Sequence, residues 1–209
     1  FGEKGIVLTN YNNNIEISCV ALQADGKIIT GGIYNGDGVY ILTRYQPNGS
    51  LDSSFGVNAI ARMEFGNYYG TLADIAIQAD GKIIASGNND YVFDYHMVVA
   101  RFTANGAVDS SFGGNKGYTT PFFNKDSRSY GRTALVQEDG KIIVAGTYVT
   151  TKAFFTVLRL KENGIPDSSF GENGISLTAF EDAGTITSNT ALLQTDGKVV
   201  LAGTSYINT

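Results

Sequence analysis

Short apolar runs alternate with polar corners along the whole chain, and within the runs apolar residues stand at consecutive positions. Val20-Ala21-Leu22, Val98-Val99-Ala100 and Ile142-Ile143-Val144 are of this kind. A strand wet on one face would alternate, so these runs predict strands covered on both faces. The corners are Asp25-Gly26, Asp80-Gly81, Asp139-Gly140 and Asp196-Gly197, together with Asn48-Gly49, Asn105-Gly106 and Asn163-Gly164. Such pairs between apolar runs predict β-hairpins with two-residue type I′ loops, in which both loop positions take φ > 0.

The corners belong to a repeat. Gln-x-Asp-Gly-Lys followed by two β-branched residues begins at Gln23, Gln78, Gln137 and Gln194, at spacings of 55, 59 and 57. Arg44, Arg101 and Arg159 each precede an Asn-Gly by four residues, and Asp-Ser-Ser-Phe-Gly follows at Asp52, Asp109 and Asp167. A period of this length means stacked supersecondary units. Each unit reads as four strands: A before Asp-Gly, B after it, C ending at Asn-Gly, and D carrying Asp-Ser-Ser-Phe-Gly. The expected division is 19–73, 74–132 and 133–189 for three repeats, with a fourth starting at 190–209 and a tail and connector at 1–18. Phe1–Thr9 matches Phe170–Thr178 at seven of nine positions, so the chain is expected to open mid-repeat as a piece of a longer protein.

This pattern predicts an all-β fold, a β-propeller of four-stranded antiparallel blades present as a fragment or incomplete ring of about four. The alternative is a β-solenoid, whose coils are shorter and lack two tight hairpins per period. Composition agrees with a packed core: 43% of residues are hydrophobic and 11% aromatic, with 26 glycines and 3 prolines. Net charge is −5, and no Lys/Arg cluster offers a nucleic-acid stripe. No apolar run of 18 predicts a bilayer span. Cys19 is the only cysteine, which excludes an intrachain disulfide and a cysteine-based zinc site.

Gln-x-Asp-Gly-Lys-Ile-Ile, Arg-Tyr-x-x-Asn-Gly and Leu-Asp-Ser-Ser-Phe-Gly resemble the delta-60 repeats, a β-propeller domain of unknown function. The resemblance covers essentially the whole chain and brings no catalytic residues. It implies a secreted or cell-surface bacterial protein, in company with adhesion or sorting modules.

Residues recurring once per unit are read first as structural. The Asp-Gly and Asn-Gly pairs are turn chemistry, and Phe55, Phe112 and Phe170 are expected to pack between blades. Arg44, Arg101 and Arg159 lie in apolar strands, where an unpaired guanidinium is costly. Asp52, Asp109 and Asp167 are the obvious partners, yet a strict two-residue turn would place Asp52 opposite Tyr45 and facing away from Arg44. Either the turn is longer or the Asp answers a neighbouring unit.

Antiparallel order puts the A–B and C–D turns on one face and the B–C and D–A connections on the other. The second set differs from unit to unit, which is where specificity is usually placed. Tyr68, Tyr69, Tyr91, Tyr95, Phe123 and Tyr130, with Asp94 and His96, are the ligand-binding candidates, for glycan or protein. The bland alternative is that such rings cap the sheets. Asp90, Asp94 and Asp126 could join carbonyls in a calcium site but lack the spacing of a calcium loop, so the expectation is no cofactor, with calcium as the alternative. His96 is the only histidine, and neither a Gly-x-Ser-x-Gly elbow nor a phosphate-binding glycine loop occurs. A non-catalytic scaffold or binding module is therefore the expectation, and a propeller-type polysaccharide hydrolase or lyase the alternative.

Overall fold

The computed structural model describes residues 1–11, 14–34, 38–65, 69–91, 94–121, 127–180 and 183–207. Three four-stranded antiparallel sheets follow one another along the chain. They are β1 (Ile15–Leu22) to β4 (Ile60–Met63), β5 (Tyr69–Ile77) to β8 (Tyr118–Thr119), and β9 (Arg128–Val136) to β12 (Ile175–Thr178). Within these, β2 is Ile28–Tyr34, β3 Val39–Tyr45, β6 Ile83–Tyr91, β7 Asp94–Phe102, β10 Ile142–Val149 and β11 Ala153–Leu160. A two-stranded sheet, β13 (Ala183–Leu193) and β14 (Val199–Ile207), ends the series. Strands pair in chain order, and the first strands β1, β5, β9 and β13 pack one against the next. This is an incomplete propeller of three blades and half of a fourth.

The consecutive apolar residues find their explanation in two cores, one on each side of the second blade. Ile83, Ala85, Val98, Ala100 and Phe102 join residues of the first blade, whereas Ile84, Met97 and Val99 join the third. The central strands β6 and β7 of the middle blade thus lose water on both faces, and Met97–Phe102 are all buried. The end blades differ: on β1, Val20 and Leu22 remain 65% and 71% exposed.

The hairpin turns correct the sequence expectation. Gly26 has φ +81° while Asp25 keeps a negative φ, and the Gly26 N–H donates to Gln23 O at 2.9 Å. The loop is a type I turn with a left-handed glycine forming a G1 bulge, one residue longer than a type I′ loop. Keeping Asp25 right-handed lets its carboxylate accept the Lys27 N–H (3.2 Å) and pair with Lys27 Nζ (2.8 Å). Asp80, Asp139 and Asp196 repeat this arrangement with Lys82, Lys141 and Lys198.

The Asn-Gly turns are longer in the same way. Gly49 N–H donates to Gln46 O (2.8 Å), Tyr45 bridges Leu51, and Asp52 N–H donates to Arg44 O (2.9 Å). Arg44 therefore stands opposite Asp52 on one face, and the first of the two alternatives holds. Asp-Ser-Ser-Phe was expected to extend strand D, but it turns instead, with Phe55 N–H donating to Asp52 O at 3.0 Å.

Candidate functional site

The blade-joining end is built from one device, used repeatedly. Arg44 Nε donates to Asp52 Oδ2 at 2.8 Å, and its Nη1 donates to the carbonyl of Ala104 in the next blade at 2.6 Å. Its guanidinium lies 4.6 Å from the centroid of Phe55. Ser54 N–H and Oγ–H both donate to Asp52 Oδ1, so both carboxylate oxygens are engaged. Beyond Phe55, the Gly56 N–H donates to Asn105 O of the next blade (2.7 Å). Arg101, Asp109, Ser111 and Phe112 repeat every contact, reaching Glu162 O, while Gly113 N–H reaches Asn163 O at 2.9 Å. Burial alone would raise the Asp109 carboxyl, but the Ser111 and Arg101 hydrogen bonds outweigh it and hold the pKa below the ordinary value.

At the opposite end the sheets carry side chains that differ between units. Tyr95, at the start of β7, and Tyr130, in β9 of the next blade, lie with ring centroids 5.4 Å apart and planes tilted by 33°. The Arg128 guanidinium approaches the Tyr95 ring at 5.8 Å. Both tyrosines and His96 are half-buried. Of the other sequence candidates, Tyr69 pairs in register with Asp90 and Tyr91 with Asp94, which brings their backbones to the same end of the second blade. The side chains of Tyr69, Tyr91 and Asp94 lie outside the described set, as do Tyr68, Phe123 and Asp126 altogether. Capping rings also occur here: Phe65 is 5% exposed, wedged edge-on between Tyr40 and Tyr118.

Several side chains bear on chemistry. Burial, reinforced by the nearby Asp74 charge, pushes the Cys19 thiol up to about 12, so it is not a nucleophile near neutrality. Burial likewise raises the Asp74 carboxyl, although it accepts the N–H of Ala134 in the next blade and of Ile75, each at 2.9 Å. Asp74 thus fastens two blades rather than facing a substrate. Among the described residues no group of three His, Cys, Asp or Glu could hold a metal ion.

A family model described as Domain of unknown function (DUF5122) beta-propeller matches residues 23–55, 78–112 and 137–170. The chain belongs to this β-propeller family. No curated protein matches it. Each matched segment of the propeller repeat opens at the Gln before Asp-Gly and closes at the Phe beneath the Arg. The family pattern therefore contains the joining device, and the D–A connections with Tyr130 and Arg128 fall between its matches.

Sequence reasoning passed over one recurrent signal. Gly32, Gly87, Gly146 and Gly203 sit inside the second strand of every unit. A Cβ there would fall about 2 Å from the carbonyl oxygen of Glu16, Thr71, Tyr130 or Thr187 respectively. Beside each, the first strand bulges, with register breaks at Ile17/Cys19, Leu72/Asp74, Ala145/Gly146 and Ser188/Thr190. A glycine recurring within an apolar strand was the available clue.

Proposed function

We propose that this propeller is a non-catalytic scaffold or binding module of a secreted or cell-surface bacterial protein, presenting its variable face to a glycan or protein. The observation supporting a binding role is the contrast between the two ends. The joining end repeats one set of contacts, with Phe55 and Phe112 fully buried. The variable end leaves a tyrosine pair half-open across two blades beside a cation. Aromatic rings held in place by their neighbours and half-exposed suit stacking on sugar faces or anchoring a partner at little entropic cost. The secreted setting rests on the resemblance to delta-60 repeats.

A glycan array, with polysaccharide incubation in parallel, tests this reading. Binding is expected, with roughly tenfold loss in Tyr95→Ala and Tyr130→Ala and little change in melting. Ligands bound equally well by both variants would place the site elsewhere. Release of oligosaccharides would make the chain a polysaccharide hydrolase or lyase instead.

A further inference from the structure

The second blade departs from its neighbours at one rung. The residue four before the joining Arg is Tyr40, Met97 and Phe155 in successive units. Tyr40 pairs with Met63 of β4, and Phe155 pairs with Thr178 of β12. In the second blade, β8 pairs only with Val99 and Ala100, through Thr119 and Tyr118. Two residues further in that register, Pro121 would stand opposite Met97, and a proline cannot supply a ladder N–H. The Arg101 N–H points to this edge, where it donates to Gly117 O (2.9 Å). Antiparallel alternation along β7 turns the Met97 N–H the same way.

The next blade supplies the partner that β8 does not. Ser129, in β9, is fully buried, and its Oγ accepts the Met97 N–H at 2.8 Å. Tyr95 stands two residues before Met97, and Tyr130 follows Ser129 directly; their half-buried rings are the pair 5.4 Å apart. Arg128, directly before Ser129, carries the guanidinium over the Tyr95 ring. One hydroxyl therefore ties the two strands together where the ring partners leave them. Gly131 permits the approach, since a Cβ there would lie 3.0 Å from Gly87 O and 3.3 Å from Met97 Cγ.

We infer that Ser129 is a positioning residue of the variable face, fixing the Tyr95–Tyr130 pair before any ligand arrives. Being fully buried, it acts through the rings and not on a ligand. The inference rests on the reading of that pair as part of a binding surface, and it says how the surface is kept rigid. Rings fixed beforehand lose little freedom on binding, so loosening them weakens binding without changing which ligand is bound.

The test uses the whole chain with ring-labelled tyrosine, and reads the NMR cross-peak between the Tyr95 and Tyr130 rings, assigned with Tyr95→Phe and Tyr130→Phe. Ser129→Ala should cut the cross-peak severalfold, and Ser129→Thr, which keeps an acceptor oxygen, should restore it. Thr133→Val is the control for stability alone, because it removes the acceptor of another buried cross-blade bond, from the Ala191 N–H at 3.2 Å. Ser129→Ala and Thr133→Val should each lower the melting temperature by roughly 3–8 °C, but only the first should reduce the cross-peak. On the glycan array, a ligand weakened by Tyr95→Ala should be weakened about three- to tenfold by Ser129→Ala and bound normally by Ser129→Thr. An intact cross-peak in folded Ser129→Ala, or an equal reduction in Thr133→Val, overturns the inference. A Ser129-dependent cross-peak in a chain that binds no glycan supports the positioning role and strikes the glycan reading alone.

Discussion

Replacing Arg101 by Met removes a guanidinium whose side chain is 5% exposed, while Asp109 stays in place at 10%. The Met retains the stem's packing against Phe112, but four interactions go: the bonds to Asp109, to Glu162 O and to Ser111 Oγ, and the charge over the ring. Breaking a buried ion pair from one side costs about 3–5 kcal/mol, because the partner charge is left uncompensated. Asp109 keeps the Ser111 N–H and Oγ–H bonds at 3.1 and 2.6 Å, which argues for the lower end. A loss of about 3 kcal/mol corresponds to a Tm drop of ~6–12 °C for a chain of this size. Arg101→Lys keeps the charge but not the planar fork, so it should recover less than half of the loss. The internal control is Arg159→Met, at a side chain 20% exposed that lacks the carbonyl contact; its shift should be less than half that of Arg101→Met. Urea unfolding followed by far-ultraviolet circular dichroism, with thermal scans alongside, reads all three. Equal shifts for Arg101→Met and Arg159→Met would refute the claim that the cross-blade bond carries the cost.

Other perturbations probe the same joints. Gly87→Ala would put a Cβ 1.9 Å from Thr71 O and 2.6 Å from the Tyr40 hydroxyl, and a loss of about 3 kcal/mol in urea unfolding is expected; a change within experimental error would mean the bulge gives way freely. Asp74→Thr borrows the solution used by Thr133, whose Oγ1 accepts the Ala191 N–H at 3.2 Å. Burial raises the Asp74 carboxyl, so its ionisation penalty is present above the folded pKa and fades as pH falls through it. Asp74→Thr should thus match or exceed the parent's stability at neutral pH, and its advantage should shrink on acidification; a clear loss at neutral pH would count against this. Asp52, Asp109 and Asp167 carry the opposite sign. The Ser54 hydroxyl foremost, with its N–H and Arg44, holds Asp52 below the ordinary 3.8 against the pull of burial. The stability these carboxylates supply is complete above that ordinary value and lost as pH falls through the lower folded values. The melting temperature should fall steeply below about pH 4, and a flat profile there would remove the carboxylates from the ledger.

The blades were legible because their signals are local. Consecutive apolar residues in Ile83–Ala85 and Met97–Phe102 require two covered faces, and the two cores flanking the second blade supply them. The turn class was not legible, because Asp-Gly suits both a two-residue loop and a type I turn with a bulged glycine. That single residue decides whether Arg44 and Asp52 share a face, and only the Tyr45–Leu51 bridge settles it. The cross-blade partners Ala104 O and Glu162 O left no trace in sequence, since a backbone carbonyl carries no side-chain signature. The Tyr95–Tyr130 contact was hidden for a related reason: the two rings come from different units, and spacing within a unit is silent on what meets across the gap.

The chemistry of the joint bears on how such a chain can be varied. On the donor side it is demanding: Arg, Asp, Ser and Phe must all be present, at fixed offsets, to aim Nη1 and the glycine N–H outward. On the acceptor side it asks only for two carbonyls at a turn, which any residue provides. The position before Asn-Gly is Pro47, Ala104 and Glu162 in successive units, and the last two accept in the same way. A joint blind to the acceptor's side chain lets one unit follow another without co-adapted partners. It also leaves the far end of each blade outside the constraint, because no element of the device reaches the B–C and D–A connections. Diversity at Tyr95, Arg128 and Tyr130 can then accumulate without altering how the blades are held, which is the arrangement a scaffold needs if its ligand face is to change while its frame does not.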